Sequence, residues 1–162
     1  MTEYLKHPPQ DPFIIFDNWY KHAQDTEGRQ AHVMYLASVN YLGQPSVRAM
    51  MLHSISNKAF LFFTNLNSRK SIEILDNPHV AICFYWPSSN RHVRIEGVST
   101  KVPDQMADKV FQLRPIEHQM NIVASEQSKV MHDAHDLELS IAQVAHQYGD
   151  DPIERPAKWG GY

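Results

Sequence analysis

Residues 62–78 read "FFTNLNSRKSIEILDNP". An apolar run ends in polar turn residues, and Arg69 and Lys70 then open a short helix running to Asn77, with Asn67 or Ser68 as its cap. Ile72 and Leu75 are expected to cover its buried side. A helix start favours anionic side chains, because the free N–H groups and the macrodipole make that end positive. Two cations there point to an external anion. Phosphate suits the position: the amides are ready donors, arginine adds a planar fork, and lysine adds a point charge. The hydroxyl of Ser71 is a further candidate donor. The competing reading is two solvated cations on a surface turn.

Outward from this helix the chain reads as short strands. "HVMYLASVN", "SVRAMMLHSI", "AFLFFTN" and "HVAICFYW" are rich in β-branched and aromatic residues and are separated by turn signals. "RHVRIEGVSTKV" alternates, with Val93 and Ile95 on one face and His92, Arg94 and Glu96 on the other. A helix is expected over about 12–23, with Asp11 as N-cap and Pro12 at its first position. "PDQMADKVFQL" predicts another, capped by Asp104 and burying Met106, Val110 and Leu113. "HDLELSIAQVAHQY" predicts a third, burying Leu137, Ile141 and Val144 or Ala145. The expected architecture is one domain over 1–162: the first helix, an antiparallel barrel over about 31–102, a helical region over about 104–148, and an extended tail over 149–162. The class is mainly β with peripheral helices.

A chain of 162 residues can bury one real core. A net charge of −3 argues against non-specific nucleic-acid binding. No apolar run approaches the roughly 20 residues of a membrane span, and the first residues lack the apolar core of a signal peptide. The single cysteine, Cys83, allows no intrachain disulfide and fits a reducing cytoplasm; within "VAICFYW" it reads as a small buried hydrophobe rather than a nucleophile. "MHDAHD" spaces His132 and His135 for a metal, but no second ligand cluster completes a site, and a solvated helix start explains it. No metal is expected.

Arg48 lies in the mostly apolar strand "PSVRAMML" and needs a partner there. Either a carboxylate pairs it, or it completes a phosphate clamp with Arg69 and Lys70. The same two alternatives hold for Arg94.

The run "SVRAMML…FFTNLNSRKSIEILDNPHVAICFYW…RHVRIEGV", continued by "FQLRP", "SEQS" and "WGGY", resembles the pyridoxamine 5'-phosphate oxidase family, the FMN-binding split barrels. The resemblance covers nearly the whole chain. It implies a homodimer with FMN at the subunit interface. It also implies hydride transfer from a small, phosphorylated substrate to flavin N5, with oxygen or another acceptor reoxidising the flavin. Carried over by position, Arg48, Ala49, Met50, Met51 and Leu52 line the flavin, with Arg48 reaching its phosphate. Phe63 and Thr64 contact the ring and ribityl region, and Ser68, Arg69 and Lys70 hold the phosphate. Gln127 and Ser128 contact the flavin from the partner chain, and Trp159 approaches it.

The departures bear on the substrate. His92 stands where the family has a flavin-contacting glutamine, and His53 where it has a substrate-phosphate lysine. Arg114 keeps the substrate-phosphate arginine, but its companion tyrosine and serine are Val110 and His118. The family segment beyond "WGGY", which carries further substrate and flavin contacts, is not in this sequence. His53 and His118 either carry charge near neutral pH and bind an anion, or serve as neutral fillers. No side chain is assigned as a catalytic base. The resemblance implies oxidation of pyridoxine or pyridoxamine 5'-phosphate. The departures leave open another substrate, a flavin carrier or sensor without turnover, or a split barrel that has lost FMN.

Overall fold

The computed structural model describes residues 11–130, 133–149 and 151–162. Helix α1 spans Pro12–Glu27, and the Asp11 carboxylate accepts from the Phe13 N–H at 3.0 Å, the expected cap. It runs one turn past the expected end, to Gly28 at φ 57°, a left-handed exit that suits glycine. A 3₁₀ turn, Gly28–His32, leads into the sheet.

Strands β1 (Val33–Val39), β2 (Pro45–Met51), β6 (His79–Trp86) and β7 (Arg91–Val98) form one antiparallel sheet in the order β2-β1-β6-β7. Leu36 sits opposite both Arg48 and Ile82, and Ile82 opposite Ile95, so these four share one face. Met34, Leu36, Ile82, Phe84 and Trp86 bury that face under α1, whose Phe16 packs against the Phe84 and Trp86 rings. The alternation expected for 91–98 is present: Val93 and Ile95 face in, and His92, Arg94 and Glu96 face out.

Two expected strands are each broken in two. "SVRAMMLHSI" divides into β2 and β3 (Ser54–Ser56), and "AFLFFTN" into β4 (Ala59–Leu61) and β5 (Phe63–Asn65). At each break the backbone changes partner. The Leu52 N–H bonds the His32 carbonyl, while the His53 N–H bonds that of Leu61; Phe62 exchanges both its hydrogen bonds with Tyr162. β3 and β4 form a hairpin whose turn residues Asn57 and Lys58 are both left-handed. β5 pairs with β8 (Trp159–Gly161), so the end of the expected tail is a strand.

Gly161 lies in that pairing with no room for a side chain: a Cβ would stand 2.7 Å from the Phe63 ring and 2.9 Å from the Phe62 carbonyl. Gly161→Ala is therefore expected to cost about 1–3 kcal/mol by overpacking, read as a lower thermal midpoint, with Gly97→Ala, which meets nothing, as the matched control.

Helix α2 (Arg69–Asp76) connects β5 to β6. Helices α3 (Asp104–Gln112), α4 (Ile116–Ala124) and α5 (Ala134–Tyr148) follow β7. Ala107 and Phe111 of α3 join Ile153 and Trp159 in a second core. This corrects two expectations. Asp104 is inside α3 rather than capping it, and the buried face is Ala107 and Phe111, whereas Met106 and Leu113 are exposed. In α5, Val144 is buried and Leu137 and Ile141 are half-buried, as expected.

Candidate functional site

Helix α2 lies against β1 with a polar underside. Lys70, Ser71, Glu73 and Ile74 are buried, and the expected buried pair, Ile72 and Leu75, is 53% and 70% exposed. The reason is the surface beneath. Ser38 and Ser46 donate to one Glu73 carboxylate oxygen at 2.5 and 2.7 Å. Arg48 reaches the same oxygen at 3.2 Å, and the Arg69 Nε–H bonds the other at 2.8 Å. Burial alone would raise the Glu73 carboxyl, but the Ser38, Ser46 and Arg69 hydrogen bonds and the Arg69 charge outweigh it and hold the group at about 2. Arg48 also donates to the Leu36 carbonyl and to both serines. Of its two open readings, the structure displays the carboxylate partner.

Lys70 is placed differently. Its ammonium, in a residue 6% exposed, donates to Thr64 Oγ1 and Ser68 Oγ at 2.9 Å and to Gln127 Oε1 at 2.8 Å. All three acceptors are neutral, and among the described residues no carboxylate forms an ion pair with it. Burial, then the Arg48 charge, lowers its pKa to about 8, which leaves it protonated at neutral pH.

The expected cap hydrogen bond is absent. Ser68 holds the N-cap position with extended backbone, yet its hydroxyl donates to the Asn65 carbonyl, and the Asn67 N–H bonds the Asn65 side chain. Ser71 likewise turns inward and donates to Asn65, so it is not an outward donor. The first turn of α2 is left without a side-chain cap, beside a buried cation.

The end of the chain builds the adjoining wall. Trp159 stacks on Phe63 at 5.1 Å, His53 stands edge-on to Phe63 at 4.9 Å, and the Arg114 guanidinium lies 5.0 Å over the Trp159 ring. The Arg114 Nε is buried with no hydrogen-bond partner. Arg155 fixes Trp159 by donating to its carbonyl while pairing with Asp104 and Asp108. Lys158 ties the tail to the Ser125 carbonyl and Glu126, next to Gln127. Burial and the Arg114 charge lower the His53 pKa.

Two spaces open here. A cavity of about 170 Å³ touches Thr64, Gln127, Arg114 and Trp159. A cleft of about 610 Å³ is lined by Ala49, Met50, Met51, Leu52 and His53 of the β2 strand and its exit, with Phe63 and Arg114. The two share Met50, Phe63 and Arg114.

The structure thus gathers most of the expected site residues. Gln127 meets Lys70 within the chain. Ser128 is exposed at φ 69°. His118 is exposed on α4 and lines neither space. His92 is exposed on β7 opposite Tyr85, away from Lys70, and lines a groove against α1. Glu73, Ser38 and Ser46 were missed; the one signal was Glu73 at four residues from Arg69. His132 lies outside the described residues, and no cluster of three metal-ligating side chains occurs among the described ones. No helix of the described residues is long and apolar enough to cross a membrane.

Residues 21–148 match the family profile described as pyridoxamine 5'-phosphate oxidase. A curated pyridoxine/pyridoxamine 5'-phosphate oxidase from Gluconobacter oxydans is 40% identical over 152 residues, 94% of this chain and 76% of the relative. One from Salinibacter ruber is 39% identical over 157 residues, 96% of this chain and 73% of the relative. Among solved structures, PhzG from Burkholderia lata, in complex with tetrahydrophenazine-1-carboxylic acid, superimposes with a TM-score of 0.91 over 100% of this chain and 79% of that one, at 23% identity. A pyridoxamine 5'-phosphate oxidase-related, FMN binding protein from Nostoc punctiforme gives 0.73 over 94% and 80%, at 18% identity. Both share the split-barrel fold. With relatives this similar over nearly its whole length, the chain belongs to the pyridoxamine 5'-phosphate oxidase family.

Proposed function

We propose that the chain is an FMN-dependent oxidoreductase acting on a small anionic substrate. One observation carries the reading: the buried Lys70 ammonium is held by neutral oxygens, with no carboxylate partner among the described residues, at the uncapped start of α2. A buried cation without a counter-charge is costly, and a phosphate at this point supplies it. The donor set fits a phosphate monoester: the Lys70 ammonium, which the Thr64 and Ser68 hydroxyls orient by accepting from it, the first-turn amides and the exposed Arg69. Arg48 contributes positive field while Glu73 holds its guanidinium in place. Ala49, Met50, Met51 and Leu52, with Phe63, Gln127, Ser128 and Trp159, give the ring its walls and polar edge.

FMN, when bound, supplies two-electron redox chemistry that no side chain here provides. The protein's own part is to bind, orient and exclude water. Phe63 and Trp159, stacked and braced by Arg155, make a rigid apolar surface. Arg114, over Trp159, lines both spaces and brings its positive charge to a substrate anion there, with His53 beside it.

The working unit is a homodimer in this reading. On the outer face of the sheet Val47, Met51, Tyr35 and Tyr85 are each roughly half exposed or more, a contiguous apolar surface of the kind that pairs with a copy of itself. His92 lies on that face and serves the cofactor only in such an assembly.

The curated relatives are named for pyridoxine and pyridoxamine 5'-phosphate, which makes these the first substrates to try. The test is anaerobic addition of pyridoxamine 5'-phosphate to the FMN-loaded protein. Bleaching of the visible flavin band is expected. A band that persists with this donor overturns the vitamin B6 substrate and leaves a flavin protein without this turnover.

A further inference from the structure

Lys158 stands one residue before β8 and touches both sides of the candidate phosphate site. Its main chain meets the α2 side. The Leu66 N–H donates to the Lys158 carbonyl at 2.6 Å, and the next residue, Trp159, pairs with Asn65. Asn65 in turn accepts from the Ser68 and Ser71 hydroxyls and, through its side chain, from the Asn67 N–H. The Lys158 side chain, 18% exposed, meets the other side: its Nζ donates to the Ser125 carbonyl at 2.8 Å and to the Glu126 carboxylate at 3.1 Å.

Those two bonds act on the segment that carries Gln127. Residues 126–130 are exposed. Their turn is closed from within, by the Lys129 N–H on the Glu126 carbonyl and by the Glu126–Lys129 ion pair at 2.7 Å. Ser128 holds a left-handed φ of 69°, a conformation that a serine keeps where its neighbours fix it. Among the described residues, the hydrogen bonds that tie 125–130 to an element other than α4 are those from Lys158 and those of Gln127 itself. Gln127 uses one atom: Oε1 accepts from Lys70 at 2.8 Å and from Thr64 at 3.2 Å, and its Nε2 bonds nothing among the described residues. With the oxygen held, the amide has two N–H donors left for an anion at Lys70. An exposed segment loses such placement to conformational freedom unless its base is tied down. The Lys158 ammonium is engaged by Ser125 and Glu126, so it orients the segment rather than meeting the anion.

We propose that Lys158 is a positioning residue: by holding Ser125 and Glu126 it keeps Gln127 at Lys70, so that the docking of β8 and the completion of the phosphate site are one event. The proposal rests on the reading of Lys70 as the FMN phosphate site.

The test titrates the flavin-free protein with FMN and with riboflavin and follows flavin fluorescence. Lys158→Met is expected to weaken FMN binding by about tenfold, the size of one hydrogen bond to a charged group, and to leave riboflavin affinity unchanged. Lys158→Arg keeps a charge and donors for both acceptors and should restore most of the loss. In a Gln127→Ala background, which has already lost the amide, Lys158→Met should weaken FMN binding no further. A loss that persists in full in that background makes Lys158 a direct source of charge and overturns the proposal. So does an unchanged FMN affinity in Lys158→Met, or an equal loss for riboflavin, which means damage to the Trp159 wall. The wild type tells the two readings apart. If it binds FMN and riboflavin equally, the phosphate site fails and the positioning role with it; if it prefers FMN and Lys158→Met does so equally, the positioning role alone is overturned.

Discussion

Replacing Lys70 with methionine is expected to weaken FMN binding by about 10- to 100-fold and to leave riboflavin binding unchanged. The range follows from a charge-assisted hydrogen bond of about 1.5–3 kcal/mol, at about 1.4 kcal/mol per factor of ten. Methionine fills the same narrow volume, so the loss is mainly of charge and donors. Lys70 is singled out because Arg48 and Arg69 already share the Glu73 carboxylate, whereas its ammonium has, among the described residues, the neutral partners Thr64, Ser68 and Gln127. Titrating flavin fluorescence with the variant and the wild type measures it. An unchanged FMN affinity places the phosphate elsewhere.

Glu73→Gln is expected to be the most destabilising single change near the site. The side chain of Glu73 is 4% exposed and that of Arg48 20%, and four groups converge on the carboxylate. Glutamine keeps the shape but leaves the Arg48 guanidinium half-buried without an anion. Breaking a buried pair in this way costs about 3–5 kcal/mol. At about 2–4 °C per kcal/mol for a domain of this size, the midpoint falls by about 6–20 °C. The sign with pH follows from the depressed carboxyl. Its contribution is full above the ordinary value of 4.5 and is lost as pH falls from there towards about 2. Thermal melts across that window should show a steeper acid decline in the wild type than in Glu73→Gln. Parallel declines contradict the assignment.

The sequence made some of this fold legible because the signals were local. Asp11 with Pro12 announced a helix start, and the alternation of 91–98 announced a strand with one buried face. Other features depended on distant partners. The breaks at Leu52–His53 and at Phe62 arise where the backbone changes neighbours, and the new neighbour of Phe62 is Tyr162. Nothing in "AFLFFTN" carries that information.

The phase of α2 failed for a related reason. Apolar spacing locates the buried side only when the opposing surface is apolar, and here it is Ser38, Ser46 and Arg48. The buried helix face is therefore Lys70, Ser71, Glu73 and Ile74, and Ile72 and Leu75 are left outside. In α3 the buried face is carried by Ala107 and Phe111, four residues apart, which left Met106 and Leu113 outside it.

The candidate site was legible in part. Two cations at the head of α2 pointed to an anion without help from the fold, and the structure separates them: Arg69 is exposed and paired to Glu73, while Lys70 is buried and, among the described residues, unpaired by any acid. Which partner Arg48 takes was open, because the carboxylate comes from an element 25 residues away.

The central claim is that Lys70 and the start of α2 form a phosphate site for FMN. Parallel titrations of the wild-type protein with FMN and with riboflavin, which differ only in the phosphate, test it most directly. FMN is expected to bind at least about 100-fold more tightly, the worth of two charge-assisted contacts or more. Equal affinities, or no binding of either flavin, would contradict it.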